Sequence, residues 1–331
     1  MRHNMDEDSG LHYAHTPVMH REVVEFIAGI ARCEGDTVVD CTLGEGGHSE
    51  LILGAFPEFR VIAFERDPEI LEIAVKRLEA FGDRLTVIND NFANMGERLK
   101  GMEGRVRCVL YDFGISSFHL DRSGRGFSFR GDEPLDMRLD PRLETDAARI
   151  VNTAREKELT DIIHGYGEER WARRIARRIV ERRGAGPIKT TGELAELVLR
   201  AIPARYHARN IHPATRVFQA LRIAVNDELS AIGASLGDAV RLLACGGRVI
   251  AISFHSLEDR LVKDAFRRMA AGCSCREEPR YCRCEGPPLV RLLTRKPLIP
   301  GEDEMAINRR SRSARMRVCE RIGGEPSSIS A

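Results

Sequence analysis

Short unbroken apolar runs alternate along this chain with longer segments in which apolar positions return every three or four residues. Residues 37–41, 60–64, 105–111 and 248–254 are runs of the first kind, with 85–88 a weaker example. Their length and β-branched content predict buried strands. Residues 49–55 and 68–81 carry helical spacing between the early strands. The order strand, helix, strand, helix implies right-handed crossovers, a parallel sheet and helices on both of its faces. Thr16 followed by Pro17 predicts the N-cap and first turn of a helix reaching about residue 32.

The rhythm breaks after Ser117, and strand character returns only at Arg248. We read residues 121–215 as a mainly helical insertion, with residues 1–120 and 216–331 forming one discontinuous α/β domain. A helix over 226–245, capped by Gly246 and Gly247, leads back into the sheet.

Composition narrows the class. Apolar residues make up 43% and charged residues 31% of 331, which excludes a disordered chain. No apolar run approaches the roughly 18 residues of a spanning helix. The polar start, with no apolar stretch behind a basic one, predicts a cytoplasmic protein without a secretion signal. A net charge of +1 leaves nucleic-acid binding to local clusters of charge. Of nine cysteines, five stand singly in apolar segments as small core residues. Cys273, Cys275, Cys282 and Cys284 could hold zinc, pair oxidatively or sit in a plain loop.

The candidate chemistry starts at Gly44 Glu45 Gly46 Gly47 His48, directly after the first strand. Glycines there permit positive φ and close approach of backbone to a ligand. Glu65 closes the next strand, 21 positions beyond Gly44, where a carboxylate can accept both hydrogen bonds of a ribose diol. An acid inside the loop, Glu45, repels a pyrophosphate but tolerates a sulfonium, which favours S-adenosylmethionine over a dinucleotide. Phe92 offers an aromatic face for adenine, and Asp112 Phe113 Gly114 ends a further strand. Phe92 as a core residue remains open.

These motifs occur in the order found in one family. His15 Thr16 Pro17 Val18, Gly46 Gly47 His48 Ser49, Glu65 Arg66 Asp67 Pro68 and Asp112 to Ser117 are followed by Gly124 to Phe129 and Pro134 to Arg138. Tyr166 to Arg170, His212 to Arg216 and Ser253 to Arg260 complete the set. Over nearly its whole length the chain resembles the bacterial 16S ribosomal-RNA cytosine-N4 methyltransferases, the MraW family. The resemblance implies a Rossmann-like S-adenosylmethionine-dependent methyltransferase sheet with an inserted helical substrate-recognition domain. It implies methyl-donor contacts at Gly46, Gly47, His48, Glu65, Phe92, Asp112 and His119. It also implies a cytidine at the decoding centre of a nearly complete small ribosomal subunit as substrate. It carries no metal role and leaves a homodimer open. Glu65 stands where Asp is common, Phe118 His119 where Pro Gln is frequent, and Tyr111 where Leu is usual. His119 is expected to titrate near neutrality.

Methyl transfer to an amine needs the nucleophile aligned with the methyl carbon, and an acceptor for the N–H localises its lone pair. Asp112 is the first candidate for that acceptor and Asp136 the weaker one. The family of amino-methyltransferases with prolines after the acid is not matched here. Phe127 and Phe129 with Arg125, Arg130 and Arg138 suit stacking on an extruded base and holding its phosphates, or anchoring the insertion on the core. Arg170, Arg173, Arg174, Arg177 and Arg178 share one helical face as a basic stripe for RNA. Arg309, Arg310, Arg312, Arg315 and Arg317 form a second basic patch, whose alternation also fits a sheet-edge strand. A nicotinamide-dependent oxidoreductase, a non-catalytic RNA-binding assembly factor and another nucleic-acid base methyltransferase are the rival readings.

Overall fold

The computed structural model describes residues 16–31, 36–207, 212–272 and 287–323; the cysteine cluster at 273–284 lies outside them. The apolar runs become strands β1 (Asp36–Asp40), β2 (Phe59–Phe64), β3 (Leu85–Ile88), β4 (Val106–Asp112) and β5 (Leu243–Ser253). Two more follow, β6 (Val290–Leu292) and β7 (Arg315–Arg321). They pair in the order β3-β2-β1-β4-β5-β7-β6. The first five are parallel, and β7 runs antiparallel to both β5 and β6.

Because successive side chains point to opposite faces of a strand, Val38 and Val39 enter different cores. Val38, Cys108, Leu110, Ile250 and Met316 face α1 (His20–Ala28), α2 (Gly47–Ala55) and α3 (Pro68–Arg77). Val39, Tyr111 and Val249 face three others, α4 (Met95–Arg98), α11 (Glu228–Leu242) and α12 (Ser256–Ala271). Each fully buried aliphatic contributes about 1.5–3 kcal/mol relative to exposure, so coverage of both faces fixes the layer order. The sheet is doubly wound. Its strand order reverses between β1 and β4, and in such sheets the crevice beyond the C-terminal ends of those strands takes the ligand.

Past β4 comes α5 (Ser117–Asp121), then the helices α6 (Ala147–Thr153), α7 (Glu156–Gly167), α8 (Ala172–Arg183), α9 (Thr191–Ala201) and α10 (Thr215–Asn226). These bury a core of their own, with Leu159, Ile163, Ile175, Ile179, Leu194, Val198 and Leu221 inside. Helix α10 belongs to this core, so it reaches past residue 215. A short α13 (Glu302–Ile307) precedes β7.

Several boundaries differ from the sequence reading. Helix α1 begins at His20, after Met19 in the left-handed region with φ 53°, so Thr16 and Pro17 lie before the helix and not in its first turn. Helix α3 stops at Arg77, and residues 79–84 tighten into a 3₁₀ turn interrupted by Gly82. The helix expected over 226–245 runs as α11 from Glu228 to Leu242, and Asp227, with a φ of 48°, separates it from α10. Gly246 and Gly247 lie inside β5 rather than capping a helix. A Cβ on Gly247 would sit 2.9–3.0 Å from the carbonyl oxygens of Ala244, Arg107 and Val106, so only glycine fits this irregular stretch of the β4–β5 pairing. Strand β7 is interior, with the three-residue β6 forming the edge.

Candidate active site

One cleft opens at the strand-order reversal, lined from β1 by Cys41 to Glu45 and from β2 by Phe64 to Arg66. Asn91 and Phe92 after β3, and Asp112 to Ser117 after β4, complete its sheet side. The turn after β1 is built from polar ties. Asp40, buried at the strand end, accepts from Ser49 Oγ at 2.7 Å and from the Thr42 amide at 3.1 Å. Burial raises its pKa, against the pull of these hydrogen bonds. Gly44 and Gly46 take φ of 53° and 85°, which a side chain would resist. Gly46 does not line the cleft. A Cβ there would come within 3.0 Å of Leu78 Cδ1, so its absence serves turn geometry and packing, while Gly44 and Gly47 present backbone to the cleft.

Glu65 organises the rim. Its Oε2 accepts from the Gly44 amide at 3.0 Å and its Oε1 from the Asp67 amide at 2.9 Å. Burial pushes its pKa up to about 7, despite those two donors. A carboxylate has about four lone-pair sites, so two remain for a hydroxyl pair. Glu45 also lines the cleft, but its charge is paired with Arg122 Nη2 at 2.7 Å. The repulsion of a pyrophosphate inferred from the sequence is therefore weakened. Phe92 is half-buried at the cleft wall, edge-on to Tyr111 at 5.6 Å.

Asp112 terminates β4, and its amide donates to Thr42 Oγ1 at 2.7 Å, which holds the residue at the cleft floor. Its Oδ1 is buried with no hydrogen-bond partner among the described residues, and its Oδ2 lies 3.6 Å from His48 Nε2. Both ring nitrogens of His48 are likewise buried without a partner among the described residues. These three polar atoms at one end of the cleft are what a polar ligand would satisfy.

His119 lines the cleft, but its ring nitrogens are engaged away from it. Its Nδ1 accepts from the Ser116 amide at 3.2 Å, so Nε2 carries the proton and donates to Asp67 Oδ2 at 3.0 Å. Burial lowers its pKa, outweighing Asp67, so the ring is neutral rather than titrating near pH 7. Both nitrogens are committed within the protein; what the ring offers the cleft is its apolar edge.

Asp136 is the clearest departure. It does not line this cleft, and Arg138 holds both its oxygens at 2.8 Å, with the amide of Arg138 adding a third bond. Although burial opposes it, the Arg138 hydrogen bonds hold the Asp136 carboxyl below the usual range. Arg138 also donates to the carbonyls of Pro141 and Leu143, so four of its five N–H groups are engaged within the protein. Arg125 is equally occupied, by Asp67, Glu69 and the carbonyls of Arg138 and Leu139. Phe127 is buried in the helical core, 5.0 Å from the His119 ring, and Phe129 packs on Phe218 and His212. These two rings anchor the segment instead of presenting faces to a base. Arg130 alone of this group is exposed.

In the basic stripe, Arg173, Arg174, Arg177 and Arg178 are exposed on α8, while Arg170 precedes the helix. Arg177 and Arg178 both bond Glu181 at 2.9 Å. In the second basic patch, Arg317 is buried on Asp259 and Arg310 is held by Ser117 and Asp121. On the far wall of the cleft, Phe254 and Glu258 come from the motif Ser253 to Arg260 and Arg310 from the second basic patch, whereas the sequence reading had no signal for Glu228 and Asn308.

Glu228, His255 and Glu258 stand close enough for their ligand atoms to surround an ion. His255 Nδ1, however, accepts from the Glu258 amide as a helix cap, which puts the proton on Nε2, facing Glu258 Oε1 at 3.0 Å. Arg222 holds Glu228 through both oxygens at 2.8 Å. His255 and Glu258 thus serve as the capping box of α12, with His255 Nε2 and Glu258 Oε1 left without a hydrogen-bond partner among the described residues.

The family model described as the MraW methylase family matches residues 12–322. Ribosomal RNA small subunit methyltransferase H of Geobacter sulfurreducens is 49% identical over 94% of this chain and 99% of its own. The protein of that name from Dehalococcoides mccartyi is 47% identical, over 94% and 88%. Among solved structures, an rRNA methylase from Streptococcus thermophilus aligns with 91% of this chain and 95% of its own, at 10% identity and a TM-score of 0.40. With a family match over nearly the whole chain and relatives near half identity, the chain belongs to the MraW methylase family, whose members are S-adenosylmethionine-dependent methyltransferases.

Proposed function

We propose that this chain methylates the N4 amine of a cytidine in 16S ribosomal RNA, at the decoding centre of the small ribosomal subunit, in the cytoplasm. The observation that carries the reading is the Asp112 carboxylate, held at the cleft floor by Thr42 with an oxygen left unpartnered. A cytosine amine is a weak nucleophile because its lone pair is delocalised into the ring. A carboxylate accepting its N–H localises that pair and takes up the developing positive charge. The name of the relatives, ribosomal RNA small subunit methyltransferase H, supports RNA of that subunit as the carrier.

S-adenosylmethionine, when bound, supplies an electrophilic methyl carbon on a sulfonium. Glu65 would accept from the ribose diol, Phe92 would cover the purine, and the backbone at Gly44 and Gly47 would allow close approach. Gly46 would act by shaping that turn. His48 and Asp112 would face the amino-acid end, and His119 would add an apolar edge. The unpartnered atoms of His48 and Asp112 fit such a ligand. Residues 121–215 would recognise the substrate, with Arg130, Arg170, Arg173 and Arg174 on its phosphates.

Transfer of labelled methyl from S-adenosylmethionine to small subunits, followed by mass spectrometry of the digested nucleosides, tests this. Labelled N4-methylcytidine is the expected product. Label on a different base would overturn the cytidine assignment, and absence of label from RNA would leave a binding factor as the better reading.

A further inference from the structure

Outside the cleft, the exposed basic potential of the helical region gathers at one end of α8. Arg177 and Arg178 share Glu181, and Arg182 approaches Glu193 at 3.6 Å. Arg170, Arg173, Arg174 and Arg205, by contrast, have no carboxylate partner among the described residues.

Two of these four are set on aromatic rings. The Arg170 guanidinium lies 4.6 Å from the centre of the Tyr206 ring and 5.5 Å from that of Trp171. Arg205 lies 4.9 Å from the Tyr206 centre, and the two rings are 5.2 Å apart. Trp171 packs on the helical core, whereas Tyr206 is 40% exposed. A guanidinium stacked in this way has already lost much of its rotamer freedom, and its N–H fork stays available for an oxyanion.

The patch is also tied to the cleft. Glu168, two residues before Arg170, accepts from Ser256 Oγ and from Arg260 Nη2, the latter at 2.9 Å. Ser256 begins α12, two residues after Phe254 on the cleft wall. A strand of nucleic acid leaving the cleft past Phe254 would meet this patch next.

We infer that Arg170 and Arg205, stacked on Trp171 and Tyr206, together with Arg173 and Arg174, grip the phosphates of single-stranded RNA adjoining the acceptor nucleotide. An acidic protein surface fits less well, since fixed guanidinium planes suit phosphate oxygens and base faces. This inference rests on the proposed RNA substrate.

Fluorescence anisotropy of a labelled single-stranded RNA of about 16 nucleotides, read between about 50 and 200 mM salt, tests it. In the double variant Arg170→Ala with Arg205→Ala, binding should weaken on the order of tenfold. The slope of log K against log salt should shrink by about 1.4, two phosphates at about 0.7 each. The charge-keeping pair Arg170→Lys with Arg205→Lys should keep the slope and lose affinity by a few-fold, because lysine lacks the planar fork. This second variant decides the matter if the first melts early by circular dichroism. Wild-type affinity and slope in both variants would overturn the assignment, as would unchanged RNA binding with lost binding of polyglutamate. If wild type methylates small subunits while the variants bind RNA normally, only the patch fails. If the variants lose RNA binding and wild type transfers no methyl to RNA, only the proposed reaction fails.

Discussion

Arg125 donates from Nη2 to Asp67 Oδ2 at 2.7 Å, and that ion pair joins the glycine-rich segment after α5 to the rim of the cofactor cleft. Asp67 is fully buried, caps α3 through the Glu69 amide and accepts a hydrogen bond from His119 Nε2. Its own amide is bonded to Glu65. The carboxylate of this one residue thus ties three segments together and its amide a fourth, and burial's tendency to raise its pKa is overcome by His119 and Arg125, which hold it low.

Removing one member of such a pair leaves the other charge buried and uncompensated. Arg125→Ala should therefore destabilise the protein by about 3 kcal/mol, near the lower end for buried pairs because Glu69 shares the guanidinium. Urea denaturation at neutral pH measures it. A carboxylate with a depressed native pKa stabilises above its unfolded pKa, and the contribution is lost as pH falls through the native value. The difference between wild type and Arg125→Ala should accordingly narrow in acid, below the ordinary range of an aspartate.

Glu65 is shifted in the opposite direction, upward, which moves its loss of function to a higher pH. Its pKa of about 7 means that the neutral form is favoured in the free protein below that pH. A neutral carboxyl is a poorer acceptor for a diol, so affinity for S-adenosylhomocysteine should fall as pH drops. A single group titrating near 7 allows a loss of about tenfold between pH 8 and pH 6. Calorimetric titration at the two values measures it, and Glu65→Gln should bind weakly at both with little dependence on pH.

Gly126 shows a backbone constraint. Its φ is 75°, and an added Cβ would meet the Pro134 carbonyl oxygen at 2.2 Å and Thr191 Cγ2 at 3.0 Å. Neither backbone can retreat, since Pro134 pairs with Thr190 in a β-bridge and Gly126 donates its amide to Glu133. Gly126→Ala should cost about 3 kcal/mol or more, seen as a lower thermal midpoint. Gly131→Ala, whose nearest contact would be the Glu133 side chain at 3.7 Å, should change it little.

Strands β1, β2, β4 and β5 were legible because each is a largely apolar run with buried residues on both faces, and the turn at Gly44 to His48 because glycines and a strand-end acid occur at fixed spacing. What the sequence hides is partnership. Arg125, Arg138 and Arg310 look like phosphate ligands in a string of residues, yet each is spent on carboxylates or carbonyls brought near only by the fold. Phe127 and Phe129 have no local feature that separates a stacking platform from a core anchor. The sequence reading starts a helix at Asn226, beside the break, but the left-handed turn at Asp227 was hidden for a related reason. Arg222 and Glu228 on either side of it form a bidentate pair, and Asn226 bonds the Met137 carbonyl and the Leu139 amide. Those tertiary bonds support a left-handed residue that local propensity would not choose.

Asp112→Asn separates the two roles proposed for that carboxylate. The amide side chain preserves shape and can still accept through its oxygen, so contacts that merely hold the donor should largely survive. Its charge is gone, and with it the pull on an amine N–H and the compensation of the developing positive charge. If Asp112 acts on the acceptor, the single-turnover rate of methyl transfer to small subunits should fall on the order of 10²–10⁴, with S-adenosylhomocysteine affinity changed by only a few-fold. The wild-type amide bond to Thr42 does not involve the side chain, so the loop should keep its place and thermal stability should stay close to wild type. An affinity loss as large as the rate loss would assign Asp112 to the donor alone. The acceptor for the amine proton would then have to come from the backbone carbonyls of Phe113 and Gly114, which line the same wall.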